Sequence, residues 1–132
     1  MLSRRLLLSS GLALVLGVGA WAVSADAVEL APYVAADVEK LIKSGKPVVL
    51  HVYAPWCLQC RAQASILGSL QTDARLSQIH FFRVAYDDQK DVVAALNCSR
   101  STLIAYKGGK EVARMSWATD EKSVMQILEA AL

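Results

Sequence analysis

Pro47-Val48-Val49-Leu50-His51-Val52-Tyr53-Ala54-Pro55-Trp56-Cys57-Leu58-Gln59-Cys60 reads as strand, turn and helix start in succession. The first eight residues are nearly continuous in β-branched and apolar character, the pattern of a strand buried on both faces. Pro55 and Trp56 turn the chain. The two cysteines that follow are spaced to lie one helical turn apart, close enough to form a small, readily opened disulfide. If Cys57 opens the helix, its sulfur faces unpaired backbone N–H groups and the positive end of the helix dipole. Both lower the thiol pKa and make the sulfur reactive. A bare Cys-x-x-Cys says little. After a buried strand and at the head of a helix, it is the arrangement a dithiol redox site needs.

Upstream, the chain does not look like part of a fold. Arg4 and Arg5 form a positive head, Leu6 to Val23 is almost wholly apolar, and Ala25-Asp26-Ala27 matches an A-x-A cleavage signal. Ser3-Arg4-Arg5-Leu6-Leu7-Leu8 also matches a twin-arginine export motif, with Ser9 where lysine is common. The alternatives are an ordinary secretory leader and an uncleaved anchor, since an apolar run of about 18 residues is at the short limit for a bilayer. All three export the rest of the chain. The expected division is therefore a leader over residues 1–27, or an anchor through residues 6–23, and one domain over residues 28–132. The leader removes Arg4, Arg5 and Asp26, and the formal net charge falls from +2 to +1. Such a balance gives no reason to expect nucleic acid as a partner.

An exported chain lies in an oxidising compartment, so its three cysteines need an accounting. Cys57 and Cys60 pair, which leaves Cys98 over as a small buried hydrophobe rather than a third redox thiol. No histidine follows Cys60 directly, so the haem-attachment form of the motif is absent. Only His51 and His80 exist, with no second Cys-x-x-Cys, and no structural zinc is expected. His80 has no visible partner and is read as a surface or strand-end residue.

The remaining pattern alternates. Val34 to Lys43 has helical spacing closed by Ser44-Gly45, and a helix is expected from Cys57 to about Thr72 with Ala64, Leu67 and Leu70 inward. Ile79 to Tyr86 reads as a second buried strand, and Asp87-Asp88-Gln89 as the start of a short helix to Leu96. Thr102–Tyr106 and Glu111–Met115 flank the hairpin turn Lys107-Gly108-Gly109-Lys110. Thr119-Asp120-Glu121 caps a last helix with Val124, Ile127 and Leu128 on its apolar side. The order (β)-α-β-α-β-α-β-β-α gives an α/β fold, parallel strands first and an antiparallel hairpin to close the sheet.

Element order, length and active-site placement together resemble the thioredoxin family over residues 28–132. The matching residues are Ala54-Pro55-Trp56-Cys57-x-x-Cys60 with Arg61 after it, and Thr102-Leu103-Ile104-Ala105-Tyr106-Lys107-Gly108-Gly109. The resemblance implies a thioredoxin fold, three layers α/β/α around a mixed sheet of four to five strands. It also implies that Cys57 is an exposed nucleophile attacking a substrate disulfide and Cys60 a buried resolving thiol. Trp56, Arg100, Ser101, Thr102 and Trp117 form the expected substrate-facing set.

Four positions depart from the family pattern. Leu58-Gln59 stands where thioredoxins proper have Gly-Pro, a dipeptide that tunes the reduction potential. His51 stands where the family buries an aspartate behind the second cysteine; a buried neutral imidazole could likewise take the resolving thiol's proton near pH 7. The alternative is a core histidine hydrogen-bonded to backbone. Ser101 replaces the cis-proline that packs against the disulfide, leaving the isomer of the Arg100–Ser101 bond open. In the family, loss of that proline accompanies longer-lived mixed disulfides and adventitious metal or iron–sulfur binding; a neutral replacement is the other reading. Trp117 falls where a loop glycine borders the site, and either widens the landing surface for a substrate peptide or packs under the last helix as core. Arg83 either replaces a lysine near the family's buried acid or is a solvated arginine at a strand edge.

The expectation is thus a monomeric, exported thiol–disulfide oxidoreductase without cofactor or metal, reducing protein disulfides in the periplasm and recharged by a membrane dithiol donor. Its competitors are a disulfide-donating oxidase and a metal- or iron–sulfur-binding module. Oxidases of this fold usually carry a large helical insertion, and the roughly 40 residues between Cys60 and Ser101 leave no room for one.

Overall fold

A computed structural model describes residues 30–132. The leader or anchor expected over residues 1–27 lies outside the described residues. Among the described residues, no helix is long and apolar enough to cross a membrane.

Among the described residues, five strands and four α-helices follow in order: β1 (Ala31–Pro32), α1 (Ala35–Lys43), β2 (Val48–Tyr53), α2 (Leu58–Leu70), β3 (His80–Ala85), α3 (Lys90–Leu96), β4 (Thr102–Lys107), β5 (Lys110–Ser116) and α4 (Glu121–Ala130), with one 3-10 turn at Ala74–Leu76. The strands form one sheet in the order β1-β3-β2-β4-β5. β3 runs parallel to both β1 and β2, whereas β4 is antiparallel to β2 and β5. The mixed sheet and its closing hairpin are those expected from the sequence.

β2 sits at the centre and is buried along nearly its whole length. Because side chains alternate across a strand, Val48, Leu50 and Val52 face one layer with Val38 of α1 and the apolar side of α3. Val49 faces the other, with Leu67 and Leu70 of α2 and Val124, Ile127 and Leu128 of α4. His51 shares the Val49 side, so the period of the strand itself turns the imidazole toward α2. β3 is only half-buried apart from Val84, less than the expected fully buried strand. Its outer neighbour β1 is two residues long and covers little of it.

Local chemistry sets the ends of the elements. Asp120 caps α4, its carboxylate accepting from the Ser123 amide and hydroxyl, both at 2.8 Å. The tip between β4 and β5 has Gly108 at φ 59° and Gly109 at φ 82°, the left-handed pair a two-residue hairpin turn requires. α3 begins at Lys90, three residues later than the Asp87-Asp88-Gln89 start expected. Those residues form a turn in which the Gln89 side chain accepts from the Ala85 amide and donates to the Tyr33 carbonyl.

Candidate active site

The site lies where β2 ends and α2 begins. Cys57 is the N-cap of α2, in extended backbone, and its sulfur accepts from the Cys60 amide at 3.2 Å. The two cysteines form a disulfide with their Cα atoms 5.2 Å apart, inside the usual range for the bond. Opened, Cys57 would keep that N–H and the positive end of α2 beside its sulfur, both favouring thiolate. The expectation of an exposed Cys57 is corrected: in the disulfide it is 3% exposed, packed with Ala54 and Cys60 against Tyr53 and Tyr86. What is exposed is its neighbour Trp56, at 56%. The Trp56 indole N–H donates to Asp87 at 2.8 Å, and its ring lies edge-on to Tyr86.

Beneath the disulfide is a buried polar cluster. His51 is fully buried, its Nε2 3.0 Å from Oε1 of Gln63. The Gln63 amide nitrogen donates to the carbonyls of Ser101 (3.2 Å) and Ala118 (2.8 Å). Since both amide hydrogens of Gln63 go to carbonyls, its oxygen is left to accept, and the His51 proton is on Nε2. The other ring nitrogen, Nδ1, is buried without a hydrogen-bond partner. Burial pushes the His51 pKa down to about 4; the Gln63 bond opposes this and the Arg83 charge adds to it. At neutral pH the ring is uncharged, bonded to a side chain rather than to backbone.

Gln63 is the site residue that the sequence reading missed. It follows Cys60 by three positions and precedes Leu67 and Leu70 on the buried face of α2, where Ala64 was expected inward and is only half-buried. A glutamine interrupting an apolar stripe at helical spacing was the available signal.

Arg83 corrects a second expectation. It pairs with His51 in the middle of the β2–β3 register, not at a strand edge, with its guanidinium carbon 3.9 Å from the Tyr53 ring centroid. Half-buried, it places a positive charge on the His51 side of the sheet.

Two loops close the site. Ser101, expected to face substrate, is instead fully buried at φ 60°, its amide donating to the Val52 carbonyl and its carbonyl accepting from Trp117 N–H, both at 2.9 Å. All peptide bonds among the described residues are trans. The Ser101 hydroxyl is buried without a partner. Thr102, expected to face substrate, is instead fully buried, because β4 starts there and its hydroxyl is taken by Ser99 and Ser116 at 2.8 Å. Trp117 is 43% exposed at φ 71°, which overturns the reading of it as core under α4. The guanidinium carbon of Arg100 lies 4.8 Å from the Trp56 ring centroid and 4.9 Å from that of Trp117. Cys98 is half-buried against the α3 layer, its thiol pKa raised by that burial. His80 is an exposed strand end, as expected.

Residues 30–130 match the thioredoxin family model. The chain is 34% identical to thioredoxin-2 of Saccharomyces cerevisiae over 83 residues, covering 61% of this chain and 78% of the relative. It is 32% identical over 78 residues to monothiol glutaredoxin-S17 of Arabidopsis thaliana, covering 58% of this chain but only 16% of that longer protein. Among solved structures, Trxlp from Edwardsiella tarda superposes with a TM-score of 0.71 at 33% identity, covering 76% of this chain and 98% of the other. With its Cys-x-x-Cys pair at the head of α2, the chain belongs to the thioredoxin family and is a thiol–disulfide oxidoreductase.

Proposed function

We propose that the protein is an exported reductase of protein disulfides. The observation that carries this reading is Cys57 at the N-cap of α2 with its sulfur on the Cys60 N–H, the geometry of a stabilised attacking thiolate. In the reduced protein the Cys57 thiolate attacks one sulfur of a substrate disulfide. The substrate S–S bond breaks, a mixed disulfide forms on Cys57, and the substrate's other sulfur leaves as a thiolate that takes up a proton. Cys60 then loses its proton and attacks the Cys57 sulfur. The Cys57–Cys60 disulfide forms, and the second substrate thiol is released. Two electrons pass to the substrate, and a membrane dithiol donor returns them.

His51 takes the Cys60 proton in this scheme. Gln63, one turn from Cys60 on α2, keeps the imidazole Nδ1 lone pair free for it. A pKa near 4 belongs to the disulfide form; a thiolate at Cys60 raises it by favouring the imidazolium. The reducing direction is supported by the short path from α2 through β3 and α3 to β4, which carries no inserted helical domain. Export to the periplasm rests on the residues 1–27 pattern.

Two substitutions test the order of events. Cys60→Ser should trap Cys57 in a mixed disulfide with a protein substrate, seen on a non-reducing gel, and Cys57→Ser should trap nothing. Trapping through Cys60 instead would reverse the assignment. Residues 1–27, fused to a reporter active only outside the cytoplasm, should give activity; a silent fusion argues against export.

A further inference from the structure

Arg100 holds a position beside the disulfide that thiol exchange itself does not use. It precedes the buried Ser101, and its guanidinium carbon is within 5 Å of two indole ring centroids, one of them covalently next to Cys57. Both indoles are among the exposed large apolar side chains. Two other arginines are already engaged: Arg75 pairs with Asp73, while Arg114 pairs with Glu111 and donates to the carbonyls of Leu96 and Asn97. Arg100 forms no ion pair among the described residues, and its Nε is buried without a hydrogen-bond partner. Asp87, the nearby acid, is taken by the Trp56 indole N–H.

Aromatic faces against a guanidinium stabilise its charge and restrict its rotamers, yet leave its in-plane N–H groups able to donate. The two terminal Nη groups, not the buried Nε, match a carboxylate in fork geometry, and the flanking rings reduce the solvent that would weaken the bond. Resting on the reading of the site as a reductase, we infer that Arg100, held by Trp56 and Trp117, anchors an aspartate or glutamate side chain beside the substrate cysteine. The protein then prefers disulfides flanked by acidic residues, and Arg100 sets that preference through substrate binding while Cys57 and Cys60 exchange electrons.

The test uses two disulfide-linked peptides with blocked ends, identical except for glutamate or glutamine at the positions flanking the cysteine. The reduced protein is assayed for kcat and KM on each. One partly exposed charge-assisted bond should favour the glutamate peptide by up to roughly fivefold in kcat/KM, carried by KM. The ratio between peptides is taken within one protein, so a general loss of activity does not disturb it. Arg100→Gln should bring the ratio to about one, and Arg100→Lys should leave a smaller preference, since lysine lacks the fork. Raising salt should shrink the ratio in the unsubstituted protein, a readout that needs no variant. A ratio near one in the unsubstituted protein, or a preference that survives Arg100→Gln, overturns the inference. Exchange with neither peptide would instead overturn the reductase reading on which it rests.

Discussion

Gln63 joins three parts of the site that are far apart in sequence: the His51 imidazole, the Ser101 carbonyl and the Ala118 carbonyl. Leucine at this position would occupy a similar space but would strand the imidazole N–H and the Ala118 carbonyl. Gln63→Leu should therefore destabilise the fold by about 3 kcal/mol, read from the urea midpoint, because buried polar groups without partners carry their full desolvation cost. A loss below about 0.5 kcal/mol would mean the cluster is not structurally coupled. His51 itself gives the protein a pH dependence. Its pKa is about 4 in the fold against 6.5 ordinarily. Between those values the unfolded chain binds the proton and the folded chain does not, so stability is full above pH 6.5 and falls as pH drops toward 4. The span corresponds to on the order of 3 kcal/mol. His51→Asn should flatten that part of the stability–pH curve, followed by urea unfolding; an unchanged slope would assign it to other groups. At this scale the sequence was only partly legible. Cys57 and Cys60 announce themselves by spacing and setting, whereas Gln63, Arg83 and the exposed Trp117 acquire their roles from neighbours that only the fold supplies.

Helices and strands were far more legible than their contacts, for physical reasons visible in each. β2 is found within one residue of its expected span, since a run such as Val48-Val49-Leu50 has no comparable exposed alternative. The β4–β5 turn was fixed by Gly108-Gly109, because both central residues need positive φ. Gly108→Ala isolates that requirement, as a Cβ there would meet nothing within 4 Å. It should cost about 1 kcal/mol through backbone conformation alone, and no loss in thermal denaturation would show the turn to be adaptable. The start of α3 was misplaced because Asp87-Asp88-Gln89 resembles a cap in sequence. In the fold Asp87 serves Trp56, and Gln89 bridges β3 to the Tyr33 carbonyl. Ser101 is the other element-scale departure. The backbone there reaches φ 60° with its amide and carbonyl both bonded, so three contacts hold a loop that proline would otherwise stiffen.

For the whole molecule, the three-layer arrangement places the disulfide at the C-terminal end of the central strand. The Arg100–Ser101 and Trp117–Ala118 loops are fastened there to α2 through Gln63. Continuous apolar runs, helical spacing and the order of elements carried enough information to specify that architecture, and the Cys-x-x-Cys setting to specify the family. The direction of electron flow is a property of the assembled site: it depends on how far the Cys57 thiolate, the neutral His51 and Leu58-Gln59 together favour the dithiol over the disulfide. The most direct measurement is the reduction potential of the Cys57–Cys60 pair in residues 28–132, equilibrated against a thiol buffer. A value near about −270 mV is expected for a protein that delivers electrons to its substrates. A value near about −120 mV would make it an acceptor and contradict the reductase assignment.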